Sequence, residues 1–193
     1  LNLNSTTPAA TLGYVNALLA LSGTNASFAV PGVFARSLTQ VGITNSSAEA
    51  DLISVTLPSL TNDGELVEVT TYGKGYNLSG SANNFEPYWK VNATRVVDSA
   101  QAWNNSVQPR AHHHLARITR KSATTADVTY RMDSGNAATS YGYGGVPAGL
   151  MYVYEDVAIT WSAATNVLVF GCNLTVANAT NWVYFRGYTA EMK

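Results

Sequence analysis

The stretch Thr125-Ala126-Asp127-Val128-Thr129-Tyr130-Arg131-Met132 alternates polar and apolar side chains without a break. A period of two sets Ala126, Val128, Tyr130 and Met132 on one face and the polar four on the other, the pattern of a half-buried antiparallel strand. Reading outward, the pattern recurs. Ile53, Val55 and Leu57 alternate with Ser54 and Thr56, and Asn62-Asp63-Gly64 then predicts a hairpin turn, because Asp-Gly tolerates the positive backbone angles such turns demand. Glu65 to Tyr72 is the expected returning strand, with Val67 and Val69 inward. Toward the C-terminus, Met151, Val153, Val157, Ile159 and Trp161 read as one face, followed by a turn at Ala164-Thr165-Asn166. Leu168, Phe170, Cys172, Leu174 and Val176 form the next inward row, and Trp182 to Thr189 closes a last hairpin. Eight or more such segments spaced by turns predict an all-β fold, an antiparallel β-sandwich or jelly roll. Helical periodicity does not interrupt them after residue 50, which argues against a parallel α/β sheet.

Ahead of the strands lies an arm. Residues 1–26 are expected to form it, with residues 27–193 as the single sandwich domain. Thr7 could cap and Pro8 could start a helix through Leu21, although Gly13 weakens it; the same apolar segment would equally suit an arm packed on a neighbouring subunit. The chain begins with Leu1 and shows no basic start or cleavage pattern of a signal peptide, which reads as a processed product, an excerpt of a longer polypeptide, or a chain numbered from its first visible residue.

Composition narrows the partners. Apolar residues make up 46% of the 193, enough for a sizeable core, while charged residues reach only 12%, about half the usual share. Eleven basic residues against twelve acidic ones leave a net charge of -1, so electrostatic capture of nucleic acid or of an anionic membrane is not expected. No apolar run is long enough to span a membrane, and Cys172, being alone, excludes an intrachain disulfide.

Catalytic constellations are thin, and neither enzymatic activity nor a cofactor is expected. Glu65 and Glu68 read as opposite faces of one strand, as do Glu155 and Asp156, while Glu49, Asp51, Asp98 and Asp133 fall near predicted strand ends. None offers the facing pair of carboxylates that glycoside hydrolysis needs. A Gly-x-Ser-x-Gly elbow is missing, and all three histidines stand together at His112-His113-His114. On a strand, His112 and His114 share a face, which supplies two metal-ligating imidazoles per chain, short of the usual three or four. Three such pairs around a trimer axis would complete a metal site; the plainer reading is a polar strand start after Pro109 and Arg110. The glycine-tyrosine stretch Ser140 to Gly149 is a connector or a ligand-binding loop, with Tyr141, Tyr143 and Tyr152 as its amphipathic rings. Asn-x-Ser/Thr sequons stand at Asn4, Asn25, Asn45, Asn77, Asn92, Asn104, Asn173 and Asn178, read either as glycosylation sites or as a product of an Asn- and Thr-rich surface.

The segment Ile53 to Gly73, with Leu57-Pro58 and Asn62-Asp63-Gly64, followed by Trp89 to Ser99 with its corner at Asn92-Ala93-Thr94, resembles the β-sandwich domains of tailed-phage virion proteins. Leu115 to Tyr130 is similar to the following hairpin of those domains and Val157 to Asn166 to their penultimate strand, although the corner lacks its usual glycines. The resemblance, over about residues 51 to 193, implies a non-enzymatic subunit on the virion exterior, either head decoration or a tail-fibre and receptor-binding domain. It implies a homotrimer that contacts other virion proteins and, in the receptor-binding version, host surface polysaccharide through Tyr141 and Tyr143. Trp103, Tyr184, Phe185 and Tyr188 are candidates for core and for interface alike. A surface with so few charges is expected to tolerate changes of salt and pH. The alternatives are a jelly-roll capsid protein of a small icosahedral virus, for which Leu1 to Gln40 with only Arg36 is poorly basic, and an extracellular or pilus-like N-glycosylated structural protein.

Overall fold

A computed structural model of the chain describes residues 32–78, 83–99, 101–103, 110–136, 140–141, 149–161 and 165–193. The proposed N-terminal helix or arm, Asn4, Asn25, Asn104 and Tyr143 lie outside the described residues.

Alternating sequence becomes two antiparallel layers. The strands are β1 (Gly32–Ser37), β2 (Val41–Thr44), β3 (Ala50–Leu57), β4 (Leu66–Tyr76), β5 (Asn83–Val91), β6 (Thr94–Asp98) and β7 (Gln101–Trp103), then β8 (Arg110–Arg120), β9 (Thr125–Asn136), β10 (Ser140–Tyr141), β11 (Gly149–Ala158), β12 (Asn166–Leu174) and β13 (Trp182–Met192). The larger sheet runs β1-β13-β4-β8-β9-β10, with β2 also pairing β13 and β11 also pairing β9. The smaller runs β3-β12-β5-β6, with β7 also on β5. Their inner faces make the all-β sandwich that the periodicity predicts, and the alternation in β9 holds throughout: Ala126, Val128, Tyr130 and Met132 are completely buried.

Two expected hairpins are instead crossings between layers. Asp63-Gly64 does make a turn, with Gly64 at φ 91°, but β3 pairs β12 in the smaller sheet and β4 pairs β8 and β13 in the larger one. The local cause is where the turn is fastened. Gly64 N–H donates to Arg120 O at 2.7 Å and Arg120 N–H to Glu65 O at 2.9 Å, so the turn ties to the end of β8. The Arg120 guanidinium adds bonds to Thr61 O at 2.6 Å and Asp63 Oδ1 at 2.7 Å, while the Glu65 carboxylate accepts from the Thr61 and Asn62 amides. Leu60 is buried under this corner, and both flanking inward rows, Ile53/Val55/Leu57 and Val67/Val69, are satisfied from opposite sides of the core. The segment between β12 and β13 crosses in the same way, anchored by buried Asn181, whose side-chain oxygen accepts from Leu78 N–H at 2.9 Å and whose carbonyl accepts from Asn45 N–H at 3.1 Å.

The face assigned to β11 also needs correction. Met151 and Val153 are 68% and 56% exposed, whereas Tyr152 and Tyr154 pack on the core. A bulge shifts the register between Tyr154 and Val157, with Asp156 at φ 54°, so the inward set changes from even to odd positions and Val157 and Ile159 turn in. Asp156 N–H donates to Asp127 Oδ1 at 3.0 Å, and Lys121 holds the Asp156 carboxylate at 2.8 Å, fixing the extra residue.

Aromatic rings fill the interlayer space. Trp89 lies 4.7 Å from Phe170, and Phe170 meets Phe185 edge-on at 4.7 Å and 83°, joining β5 and β12 to β13. On the outer side of the smaller sheet, Tyr88 lies flat over Gly171, where an added Cβ would fall 2.3 Å from the ring carbon Cζ and 2.6 Å from Ala50 O. Only glycine fits there, and the β12–β3 register shifts at that residue.

Candidate functional site

The outer face of the larger sheet is where aromatic and charged side chains converge. In β4, Tyr72, Lys74 and Tyr76 alternate with the inward Gly73 and Gly75; in β13, Trp182, Tyr184 and Arg186 alternate with Val183 and Phe185. Register sets Trp182 opposite Tyr76 and Tyr184 opposite Lys74. The Tyr76 and Trp182 rings are 4.6 Å apart, Trp182 and Tyr184 stack at 4.9 Å and 8°, and the Arg186 guanidinium stands 5.8 Å from the Tyr184 ring. This is an upright aromatic ridge on a sheet face.

A hollow of about 290 Å³ opens beside the ridge, lined by Tyr72, Lys74, Ala111, His113, Asp133 and Arg186, with Gly73 and His112 beneath. Register sets Ala111, with only a methyl group, opposite Lys74 at its floor. On the other side of Trp182 and Tyr184 a second hollow of about 300 Å³ is lined by Gln40, Val41, Gly42 and Thr44. Asp133 is held by Arg131, with Nε 3.0 Å from Oδ2, and stands 3.7 Å from His113 Nδ1. Among the described residues Lys74 and Arg186 form no ion pair, so the first hollow carries an excess of cationic groups in a chain whose net charge is -1.

His112 and His114 do share a face, as the strand period requires, but that face is the inner one. Both are buried, with His114 Nδ1 2.6 Å from the Tyr130 hydroxyl and His114 Nε2 2.9 Å from His112 Nδ1. Phe85, Phe170 and Phe185 surround them. Ligation around a trimer axis would need the pair on an outer surface; the larger sheet directs only His113 outward. Desolvation lowers the His112 pKa to about 3 and holds that of His114 well below the ordinary imidazole value, so both are neutral at pH 7. Burial likewise raises the Tyr130 hydroxyl and the Cys172 thiol. Among the described residues no three His, Cys, Asp or Glu side chains are grouped to hold a metal.

The carboxylates are committed elsewhere. Glu68 pairs with Arg117 at 2.7 Å, Glu49 and Asp98 flank Arg95, and Asp63 meets Arg120. Asp51 accepts from Tyr88 Oη at 2.7 Å and from Lys90 Nζ at 2.9 Å. The Lys90 and Tyr88 hydrogen bonds hold its pKa below the usual carboxylate value. The Tyr88 hydroxyl is raised by burial and by Asp51.

Tyr141 lies in β10, paired with Gly135, its side chain outside the described residues; Tyr152 stacks between Tyr130 and Tyr154 and is part of the wall of the core. Among the sequons, Asn77 is 3% exposed. The Asn92 amide donates to Thr160 O and Asn166 Oδ1, and its Oδ1 accepts from Val167 N–H. Asn173 donates to Glu86 at 2.7 Å, and Asn178 Oδ1 accepts from Thr180 N–H and Oγ1. Asn45 is exposed, at φ 51°. Of the four aromatic candidates for core or interface, Phe185 is core, Tyr188 packs against it, Tyr184 belongs to the outer ridge, and the Trp103 side chain lies outside the described residues.

Sequence reading missed Tyr72, Lys74, Tyr76, Trp182 and Arg186 as a group. The two outward rows were visible as alternation; that β4 and β13 are neighbours was not.

Fold and site together define an all-β sandwich with an aromatic, cation-rich outer sheet face. Among the described residues no helix is long and apolar enough to cross a membrane. No protein-family model matches the chain and no curated protein matches it. Among solved structures, the CBM2 module of the evolved Dit of Lactobacillus casei BL23 phage J-1 is similar at a TM-score of 0.36 and 12% identity, over 72% of this chain and 67% of that one. A likeness of that degree adds nothing to the fold described above.

Proposed function

We propose that the chain is a non-enzymatic structural subunit on the exterior of a tailed-phage particle, a head-decoration or tail-fibre and receptor-binding piece that assembles as a homotrimer with other virion proteins around it. The observation that carries this reading is the placement of the resembling segments. The resembling segments all fold as strands, β3, β4 and the β5–β6 pair, with a turn at Asp63-Gly64 between the first two and Asn92-Ala93 closing the last pair. The sandwich buries its own core, and the acids other than Glu155 are held in structural ion pairs or hydrogen bonds instead of facing one another across a cleft. A glycoprotein reading draws less support, because folding buries Asn77 and engages the amides of Asn92 and Asn173. Immunogold microscopy of particles from the source culture, with antibody to the recombinant chain, is expected to label the particle exterior; gold confined to cell envelopes would refute the reading. Light scattering on the purified chain is expected to return three times the chain mass.

A further inference from the structure

We propose that the outer face of the larger sheet binds an acidic polysaccharide, with a uronate-type carboxylate in the hollow beside Lys74 and Arg186 and the adjoining sugar across the Trp182–Tyr184 ridge. This deepens the receptor-binding version of the proposed function and rests on it.

Three features of the face select the ligand. The first is charge: Lys74 and Arg186 line one hollow without a carboxylate partner among the described residues, and Asp133, the acid in that hollow, is engaged by Arg131. An anion placed there gains charge-assisted hydrogen bonds that no acidic group among the described residues already makes. The second is the mixture of surfaces. Tyr72, half exposed, lies at the hollow's rim, and Tyr76, Trp182 and Tyr184 stand along its flank. Such rings offer apolar contact to the C–H groups of a pyranose while their polar tips hydrogen-bond hydroxyls. The third is extent. A second hollow of nearly equal volume continues past the ridge, lined by Gln40 and Thr44 with no charged side chain among its described lining. A free small anion would fill one hollow; a chain of sugars carrying a charge on some residues fits the charged hollow, the ridge and the neutral hollow in succession. The binding is reversible and needs no covalent step.

Isothermal titration of the intact chain with oligomers of polygalacturonate, hyaluronan and polysialic acid, with dextran and oligoglutamate as comparisons, tests this. Saturable binding to at least one acidic glycan is expected, weakened as salt rises from 50 to 500 mM by roughly tenfold or more, with dextran and oligoglutamate binding at least tenfold more weakly. Lys74→Ala combined with Arg186→Ala should lower the affinity about tenfold or more, since each removes a hydrogen bond to a charged group. Trp182→Ala should weaken binding with the salt dependence retained, and Lys90→Ala, on β5 of the smaller sheet, should bind as the wild type does. Each variant is first checked for unchanged circular dichroism and melting. Absence of binding to all three acidic glycans, equal affinity for oligoglutamate, or wild-type affinity in the Lys74/Arg186 double variant overturns the proposal. Particle labelling decides the virion reading separately, so a labelled particle whose subunit ignores every glycan defeats this site alone.

Discussion

At the scale of single residues, the two buried histidines tie the stability of the core to pH. Above about pH 6.5 the imidazoles are neutral whether the chain is folded or not, and they add no pH dependence. Below that value the unfolded chain takes up protons that the folded one refuses, so stability falls as the pH falls, down to the folded value near 3 for His112. Both histidines act in the same direction, and the fall continues until the folded imidazoles themselves take up protons. Urea midpoints at pH 7.5, 5.5 and 4.5 should therefore drop steeply. His114→Gln should be less stable at pH 7.5, having lost its bonds to Tyr130 and His112, yet show a clearly shallower decline; a slope equal to wild type would refute the assignment. These two groups, which carry no charge at pH 7, work against the pH tolerance expected of a sparsely charged surface. Salt tolerance stands on different ground, since the ion pairs are mostly exposed and each is worth little.

At the scale of elements, the bulge in β11 decides which side chains reach the core. The one extra residue at Glu155–Asp156 lets Tyr152 and Tyr154 pack before it and Val157 and Ile159 after it. Deleting Glu155 alone should remove the bulge and leave plain alternation, with Tyr154 still opposite Val128 and Val157 still opposite Ala126, so the fold survives; deleting Glu155 and Asp156 together should turn Val157 and Ile159 out, at about 2–5 kcal/mol for one buried and one partly buried aliphatic side chain. Glu155→Ala, which removes only an exposed carboxylate, should stay within about 0.5 kcal/mol of wild type. Chemical denaturation of the three variants checks them, and a double deletion as stable as wild type would show that the residue count across the bulge does not set the phase. The inward rows of β3, β9 and β12 were legible because unbroken alternation needs only local chemistry. The phase change in β11 was not, because it depends on Asp127 and Lys121 holding Asp156 from another hairpin.

At the scale of the whole molecule, the sandwich seals its single thiol. Cys172 is fully buried on β12 and desolvation raises its pKa. The native protein should react with a thiol reagent only as fast as it unfolds globally, and in urea the labelling midpoint should coincide with the tryptophan-fluorescence midpoint. Rapid labelling without denaturant would mean that β12 opens on its own.

The chain by itself determined the class of fold and its inward rows, because a two-residue period with one apolar face has a single way to escape water. It also determined the shortage of free acids and bases, a matter of composition. Only the tertiary structure decided that Asp63-Gly64 passes between layers, that His112 and His114 point into the core, and that Tyr76, Lys74, Trp182, Tyr184 and Arg186 share one outer face. Those outcomes depend on which strands become neighbours. Pairing between β4 and β13, more than a hundred residues apart, is set by the closing of the whole core and leaves no mark in either segment alone.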